Sequence, residues 1–313
     1  MKIAILGTGG VGGYFGGKLA MAGEDVTFVA RGAHLEAIKT KGLVVESVEG
    51  SFTVFPAKAT DDVKTIGKVD LVISTVKAHQ IKDIAPQIPS LIHENTLVLP
   101  LQNGIMAVEE LSKFIDKKHI ISGLCRIMSE IKAPGVINHM GAHKGRATII
   151  FGEIDNSKSE RVVMLNEVFE NAGFGSKIAD NITEEIWKKF LPICVGSLLA
   201  LTRTTFGELR EVPETRSLMK KMFNEIFELS QKMHVGLEED IVDKNIEAID
   251  HFPYASSASI VKDILAGKPS ELDYQNGSVI YFAKKYGVNV PVNEFIYTCL
   301  APSELKAKNI LKH

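Results

Sequence analysis

The residues that most directly suggest chemistry are the glycines of ILGTGGVGGYFGGKL, residues 5–19. Gly7, Gly9 and Gly12 have the spacing G-x-G-x-x-G, after a strand-like run and at the start of a helical pattern. In that context the first glycine permits a tight turn and the second lets a pyrophosphate approach the backbone. The third lets the helix pack against the strand. The helix N-terminus adds unpaired N–H groups. The predicted dinucleotide-binding residues are Gly7, Thr8, Gly9, Gly10, Val11 and Gly12, and close packing alone is the alternative.

The remaining glycines of this stretch, Gly13, Gly16 and Gly17, lie outside the motif. Glycine inside a helix costs roughly 0.5–1 kcal/mol relative to alanine, so a compensating interaction is required. We expect these three glycines to allow close packing of the helix against its neighbours.

The second predicted strand ends in FVARGAH, where an NAD site would carry an acidic residue for the ribose 2′-hydroxyl. This chain has Arg31 at that position. A guanidinium pairs with a 2′-phosphate through charge-assisted hydrogen bonds, so the sequence favours NADP(H) over NAD(H). The alternative is an arginine that is simply solvated in a loop.

The elements that position these residues alternate between strands and helices in the first half of the chain. The apolar, β-branched runs that predict strands are residues 2–6, 25–30, 69–76 and 96–102. The helical patterns between them lie near residues 10–22, 32–40, 78–87 and 104–115. This rotation predicts an α/β domain with a Rossmann doubly wound parallel sheet.

Two further segments predict additional strands in the same domain. Residues 43–57 alternate around a Glu-Gly pair and predict a hairpin inserted into or appended to the sheet. Residues 135–153, strand-like with glycine turns, are expected to extend the sheet in antiparallel fashion.

The pattern becomes helical after about residue 180. Predicted helices cover residues 181–201, 213–234, 238–250, 255–266 and 271–286. Ser270 is the expected cap of the last of these, and Gly287 is expected to end it. We therefore predict an NADP-binding domain over 1–180 and an all-helical C-terminal domain over 181–313.

Composition excludes several classes of protein. The chain has 313 residues, of which 45% are hydrophobic, and a net charge of −2, so no basic surface for nucleic acid is expected. The apolar run at the start ends at Gly7, too short for a secretory signal, and no later run is long enough to span a membrane. The three cysteines, predicted to be buried small hydrophobes, have no metal-ligand spacing and suit a reducing compartment. We expect a cytoplasmic protein.

Several motifs occur in one order along the whole chain: ILGTGGVGGYFG, VAR, STVKAHQ, LQNGI, EEIWKKF and SELDYQNG. Together they resemble the ketopantoate reductase (2-dehydropantoate 2-reductase) family. The resemblance implies an enzyme of the pantothenate pathway, which leads to coenzyme A, that reduces a 2-keto acid to the 2-hydroxy acid with NADPH. It also implies that the helical domain binds the substrate and carries the catalytic groups, and that the protein is a homodimer, a common state in the family.

The resemblance also implies roles for single residues. Lys189 matches the catalytic lysine that protonates the carbonyl oxygen, and Glu271 matches the glutamate that contacts substrate and lysine. Asn103 matches an asparagine near the nicotinamide and the substrate, and Ser259 matches a serine that holds the substrate carboxylate. The cofactor-binding set implied in addition to the glycine loop is Arg31, Lys77, Asn103 and Glu271.

The residue types suit these roles, although each has a simpler interpretation. A general acid beside a ketone contributes typically 10²–10⁴-fold, which suits a lysine ammonium. Lys189 precedes Gly196 and Ser197 by two helical turns and would border a pocket there. A snorkelling lysine is the alternative, and Lys188 is the alternative inward-facing residue.

The carboxylate and amide candidates have equally plain alternatives. Glu271 alternatively complements a helix dipole. Asn103 alternatively forms a turn with the glycine that follows it. Lys77 alternatively is solvated.

The chain departs from the family at the substrate contacts. It has Ile193, Ser197 and Ser256 where family members often have asparagines, and isoleucine cannot form a hydrogen bond with a carboxylate. Ser197 and Ser256 are nevertheless predicted substrate-binding residues. Pro192 lies mid-helix and predicts a kink. The departures leave three readings open: ketopantoate reduction, reduction of another 2-keto acid by a paralogue, and a catalytically silent NADP-binding sensor.

Overall fold

The computed structural model describes residues 1–142 and 145–311, and it divides them into two compact units. The first unit contains Met1–Gln102 and Ala107–Ile182, and the second contains Asn103–Met106 and the residues from Thr183 onward. The short segment Asn103–Met106 therefore belongs to a different unit from the residues on either side of it.

The described residues of the first unit form twelve strands in three sheets. They are β1 (Lys2–Leu6), β2 (Asp25–Val29), β3 (Leu43–Ser47), β4 (Phe52–Val54), β5 (Lys58–Thr60), β6 (Val69–Ser74), β7 (Ile92–Pro100), β8 (Ile121–Arg126), β9 (Met128–Ala133), β10 (Val136–Gly141), β11 (Thr148–Glu153) and β12 (Gly175–Ile178). Its helices are α1 (Gly10–Met21), α2 (Gly32–Lys41), α3 (Ile81–Ile84), α4 (Ala107–Leu111) and α5 (Glu160–Asn171).

The main sheet has five parallel strands in the order β5-β2-β1-β6-β7, which confirms the predicted doubly wound α/β class. The chain moves outward from β1 to β2 and β5 and then returns to β6 on the other side. The order therefore reverses between β1 and β6, and ligands of such sheets bind at the carboxyl ends of the strands at this point.

Two predictions about strand pairing were wrong. The 43–57 hairpin forms, with Leu43 opposite Val54, but β3 and β4 belong to a second sheet of order β4-β3-β10-β9. The strands of residues 135–153 do not extend the main sheet either. β10 pairs with β3 and β9, whereas β11 pairs with β8 and β12 in a third sheet. The connection at residues 143–144 lies outside the described residues.

The glycines of α1 are explained by packing on two faces. A Cβ at Gly16 would lie 2.7 Å from Ile5 and 2.8 Å from Phe28 of the main sheet. On the opposite side, a Cβ at Gly13 would lie 2.6 Å from Ile137 of the second sheet. A Cβ at Gly17 would lie 2.9 Å from Phe52 of the same sheet. The predicted close packing is confirmed, because α1 lies between two sheets that both approach its backbone.

The second unit is helical, as predicted. Its helices are α6 (Ile182–Ile193, of which Ile182 lies in the first unit), α7 (Val195–Thr202), α8 (Phe206–Glu211), α9 (Pro213–Lys232), α10 (Ile241–Asp250), α11 (Ser259–Leu265), α12 (Asn276–Tyr286) and α13 (Pro291–Ala307). Long α9 supplies five buried apolar side chains to the core: Met219, Met222, Phe223, Ile226 and Leu229. Ile105 and Met106, which lie far away in sequence, pack against the same core.

Three local expectations have mixed outcomes. Gly287 ends α12 with a φ of 69°, as predicted. Residues 272–274 form a 3-10 turn rather than the start of that helix, which begins at Asn276. Cys125 and Cys194 are buried, as expected, but Cys299 is exposed on α13. Among the residues that the structure describes, no helix is both long and apolar enough to cross a membrane.

Candidate active site

The glycine loop links β1 to α1 in the first unit and is fixed to both neighbouring strands. Gly7 has a φ of 97°, and a Cβ there would lie 2.8 Å from the Val76 backbone nitrogen, so only glycine fits. The Thr8 backbone N–H and hydroxyl both donate to the Val29 carbonyl, at 2.9 and 3.0 Å. On the other side, the Thr75 hydroxyl donates to the Gly7 carbonyl at 2.6 Å. The loop is thus held where the strand order reverses.

The next residues of the loop leave room beside the start of α1. A Cβ at Gly9 would meet nothing within 4 Å, whereas one at Gly10 would lie 2.3 Å from the Ser129 carbonyl oxygen. A Cβ at Gly12 would lie 2.4 Å from the Gly7 carbonyl oxygen, so the third glycine allows the helix to pack closely against the turn. No side chain caps α1. Open space above Gly9 and an uncapped helix N-terminus fit a pyrophosphate group.

The two predicted 2′-phosphate ligands lie at the carboxyl ends of strands that flank β1. Arg31 follows β2, is exposed, and precedes α2 without capping it through its side chain. Lys77 follows β6 and is also exposed. Because parallel strands place their carboxyl ends at one edge of the sheet, both cations lie on the edge that carries the glycine loop.

Lys188 and Lys189 lie side by side on α6. Lys188 forms an ion pair with Glu184 one turn earlier, at 2.5 Å. The hydrogen bond to Glu184 raises the pKa of Lys188, which makes it a poorer proton donor. Lys188 and Lys189 are both half-buried. The assignment of Lys189 as the general acid stays a prediction.

The helix that carries Lys189 is interrupted where Pro192 predicts a kink. α6 ends at Ile193, and α7 begins at Val195 after a break at Cys194. Gly196 packs closely against α11, because a Cβ there would lie 2.5 Å from Ile260. Ser197 is fully buried, and its hydroxyl has no hydrogen-bond partner among the residues that the structure describes. An unpartnered buried hydroxyl has unused capacity for a polar group.

Asn103 and Glu271 are in direct contact within the second unit. The Asn103 Nδ2 donates to Glu271 Oε2 at 3.1 Å, and only 4% of the Glu271 surface is exposed. Gly104, with a φ of 99°, brings this turn against the 271–274 segment, since a Cβ there would lie 2.6 Å from the Tyr274 carbonyl oxygen. The Asn-Gly pair therefore forms a turn and also contacts Glu271, while the role of Asn103 beside nicotinamide and substrate stays a prediction.

Ser256 and Ser259 belong to the segment that leads into α11. The Ser256 hydroxyl donates to the Pro253 carbonyl at 2.6 Å, so its proton is used within its own loop. Ser259 is exposed at the first position of α11. Its neighbours Ala258 and Ile260 are the side chains that approach Gly196 of α7, and Gln275 Oε1 would lie 3.9 Å from the same Cβ. Three segments with predicted substrate residues therefore meet around Gly196.

Comparisons with known proteins show the family to which the chain belongs. The family model described as "Ketopantoate reductase PanE/ApbA" matches residues 3–156, and that of its C-terminal part matches residues 181–304. The 2-dehydropantoate 2-reductase of Mesorhizobium japonicum is 30% identical over 296 residues, which cover 87% of this chain and 88% of that protein. The chain belongs to the ketopantoate reductase family. A crystal structure of a PanE/ApbA family ketopantoate reductase from Ralstonia eutropha superposes with a TM-score of 0.89 at 28% identity. That match covers 98% of this chain and 100% of the other.

Membership in the ketopantoate reductase family makes the chain an oxidoreductase. A D-mandelate dehydrogenase, solved with NADH and anilino(oxo)acetate, shares the fold with a TM-score of 0.86 at 24% identity, over 98% of this chain and 99% of that one. At that identity the likeness concerns the fold alone. The described residues contain no group of three or more His, Cys, Asp or Glu that could hold a metal ion.

This ketopantoate reductase fold contains polar residues that the sequence analysis missed. Thr75 holds the Gly7 carbonyl, as described above. Gln102 is buried and its side-chain amide donates to Ser74 at 2.7 Å, while its side-chain oxygen has no partner within residues 1–142 and 145–311. Gln102 and Asn103 are adjacent in LQNG, so the motif itself was a usable signal. No local signal marked Glu304, a buried carboxylate of α13.

Proposed function

We propose that this chain is an NADPH-dependent 2-keto acid reductase, with ketopantoate as its first candidate substrate. Residues 1–180 would bind NADP(H), and residues 181–313 would supply the substrate and catalytic groups. The hydrogen bond between Asn103 and buried Glu271 is the observation that carries the proposal. It joins an amide and a carboxylate that would otherwise be a turn residue and a helix-dipole partner.

The cofactor would be held at the glycine loop of the first unit. The space above Gly9 and the uncapped start of α1 would receive the pyrophosphate, and Arg31 and Lys77 would receive the 2′-phosphate. When bound, the reduced nicotinamide supplies the hydride. The family match supports a nicotinamide cofactor, and the phosphorylated form is proposed on the charge of these two residues.

The substrate groups would act on the developing charge of the carbonyl. Hydride addition at C2 places negative charge on the oxygen, and the Lys189 ammonium would donate a proton to that atom. Glu271 and Asn103 would orient the substrate through hydrogen bonds. Ser259 would hold the substrate carboxylate, and Ser197 and Ser256 would line the remaining polar wall.

The position of Ile193 favours a second candidate, the reduction of another branched or bulkier 2-keto acid. An isoleucine one turn after Lys189 offers apolar surface where the family often has an amide. The test is NADPH oxidation with ketopantoate and with a panel of other 2-keto acids, hydroxyketones and imines. Reduction of hydroxyketones or imines alone would contradict the proposal. Tight NADPH binding without any oxidation would indicate an NADP-binding sensor instead.

We also propose that the enzyme is a cytoplasmic homodimer, as the family resemblance and the sparse cysteines suggest. Light scattering of the purified protein gives its molecular mass in solution and so tests the dimer. Fractionation of cells tests the cytoplasmic location.

Replacement of Arg31 by alanine should change cofactor preference. Hydrogen bonds to charged groups contribute about 1.5–3 kcal/mol, and Arg31 is exposed to solvent, so we expect the lower end. The Kd for NADPH should rise roughly tenfold, while the Kd for NADH should be unchanged. Fluorescence titration measures both.

Lys41→Ala is the matched control, because it removes an equal charge from the last turn of α2, the helix that Arg31 precedes. It should leave both dissociation constants unchanged. Equal weakening of NADPH and NADH in Arg31→Ala would contradict the assignment of this arginine to the 2′-phosphate.

A further inference from the structure

Glu304, near the end of α13, is a carboxylate with only 4% of its surface exposed. Both of its oxygens accept the Ser270 backbone N–H, at 3.1 and 3.2 Å. The Ser270 hydroxyl donates to the Glu304 Oε2 as well. A carboxylate from a helix 34 residues further along the chain is therefore bound to the residue that directly precedes Glu271.

The backbone on the other side of Glu271 is fixed through the same serine. The Ser270 hydroxyl accepts the Leu272 N–H at 3.2 Å. The Glu271 carbonyl accepts the N–H groups of Tyr274 and Gln275, at 3.0 and 2.9 Å. Glu271 thus lies in a short turn whose two flanking residues are both tied, directly or through Ser270, to Glu304.

Lys308 completes the arrangement by pairing with two carboxylates. Its ammonium lies 2.9 Å from Glu304 Oε1 and 2.6 Å from Asp273 Oδ2, and the Tyr297 hydroxyl donates to Asp273 Oδ1 at 2.8 Å. Burial acts to lower the pKa of Lys308, but the hydrogen bonds to Asp273 and Glu304 raise it overall. Burial and Asp273 raise the pKa of Tyr297 to about 12. Lys308 therefore stays charged and Tyr297 stays protonated near neutral pH.

These contacts define the α13 anchor, which comprises Glu304, Lys308 and Tyr297 bound to Ser270 and Asp273. A buried carboxylate is costly unless it is fully paired, and apolar packing of similar volume is often as stable. Directional hydrogen bonds fix a neighbouring group more tightly than apolar packing does, as in the outer shells of functional sites. The two residues that the anchor binds, Ser270 and Asp273, lie on either side of Glu271 in the sequence. This placement indicates that the anchor serves Glu271.

We propose that Glu304 is a positioning residue that, together with Lys308, holds the Glu271 carboxylate in place against Asn103 for substrate binding and reduction. This inference rests on the proposed function, because it assigns to Glu271 a role in turnover. Its structural half, the fixing of the 270–275 turn by Glu304, stands separately and is measured separately.

The test compares Glu304→Gln with Glu225→Gln. Glu225 of α9 is a matched control, because it accepts the Val292 and Asn293 N–H groups at 2.8 and 3.0 Å at the other end of α13. Misplacement of a group by about 1 Å can lower the reaction rate around a hundredfold. We expect Glu304→Gln to lower kcat roughly tenfold or more with an unchanged Kd for NADPH. Glu225→Gln should lower the melting temperature and leave kcat within about twofold of wild type.

Amide hydrogen exchange without any ligand gives a readout independent of activity. Exchange in the 270–275 segment should accelerate in Glu304→Gln and remain as in wild type in Glu225→Gln. Should Glu304→Gln fail to fold, Ser270→Ala removes only the bridging hydroxyl and should show the same acceleration and loss of kcat.

The outcomes separate the two hypotheses. Wild-type kcat and wild-type exchange in folded Glu304→Gln would overturn the positioning role. Wild-type kcat with accelerated exchange would also overturn it, since a loosened turn would then not matter for turnover. A wild-type chain that reduces no 2-keto acid, or a Glu271→Gln variant as active as wild type, would instead overturn the proposed function.

Discussion

Lys189→Ala should lower kcat by about a hundredfold or more while the Kd for NADPH stays within about twofold of wild type. Hydride transfer leaves negative charge on the carbonyl oxygen, and a positioned general acid contributes typically 10²–10⁴-fold. Alanine removes the ammonium without adding bulk, and its high helix propensity should preserve α6. Steady-state kinetics with the best 2-keto acid measures kcat, and titration of NADPH fluorescence measures the affinity.

Lys188→Ala is the control for that experiment, since it removes an equal charge one residue earlier on the same helix. Its ion pair with Glu184 is partly exposed, and such pairs contribute about 0–1 kcal/mol, so stability and kcat should change little. Equal losses of kcat in the two variants would indicate a general effect of charge. Wild-type turnover in Lys189→Ala would remove the proposed proton donor from the reaction.

Gly9→Ala should weaken NADPH binding by about tenfold to a hundredfold, or about 1.4–2.7 kcal/mol, without lowering the melting temperature. The backbone at Gly9 has a φ of −87°, which alanine adopts without strain, and the added Cβ would meet nothing within 4 Å in the protein. The methyl group would therefore occupy space that we assign to the pyrophosphate. Calorimetric titration with NADPH and thermal unfolding measure the two quantities.

Gly10→Ala, at the next position, should differ from Gly9→Ala in its effect on stability. Its Cβ would lie 2.3 Å from the backbone oxygen of Ser129, which cannot move as a flexible side chain does. Overpacking of this kind costs about 1–3 kcal/mol, so this variant should lower the melting temperature. An unchanged Kd for NADPH in a folded Gly9→Ala variant would contradict the assignment of the glycine loop.

The sequence was most informative where structure is local. The loop from Gly7 to Gly12 was predictable because strand, turn and helix are adjacent in sequence and each glycine has a distinct steric reason. The hairpin of β3 and β4 was readable for the same reason. Its place in a second sheet was not, because that depends on pairing between β3 and β10, which are separated by some ninety residues.

Misassigned helices have equally physical causes. Residues 104–115 show a helical pattern, but Ile105 and Met106 are apolar because they pack against the core of the second unit. Only Ala107–Leu111 forms a helix there. The 271–286 pattern likewise gave no warning that Ser270 binds a distant carboxylate, which leaves a 3-10 turn where a regular first turn was expected.

The candidate site was predicted by resemblance more than by spacing. Lys189, Asn103 and Glu271 each had an ordinary alternative, and only the order of several motifs favoured the chemical one. The Asn103–Glu271 contact joins residues 168 positions apart, which no local pattern encodes. The assigned roles of Lys189 and Arg31 remain predictions that the variants described above test, and the role of Ser259 remains a prediction.

Residues Asn103–Met106 belong to the second unit, and this affects how the chain can be divided into fragments that fold. A fragment that begins near residue 183 would keep every helix from α7 onward yet lack the tetrapeptide whose two apolar side chains cover part of its core. Such a fragment would expose apolar surface to solvent, and Glu271 would lose its hydrogen bond from Asn103. The two units are therefore not separated by a single boundary in the sequence. A recombinant protein in which the helical unit is exchanged would also need the residues 103–106 that match that unit.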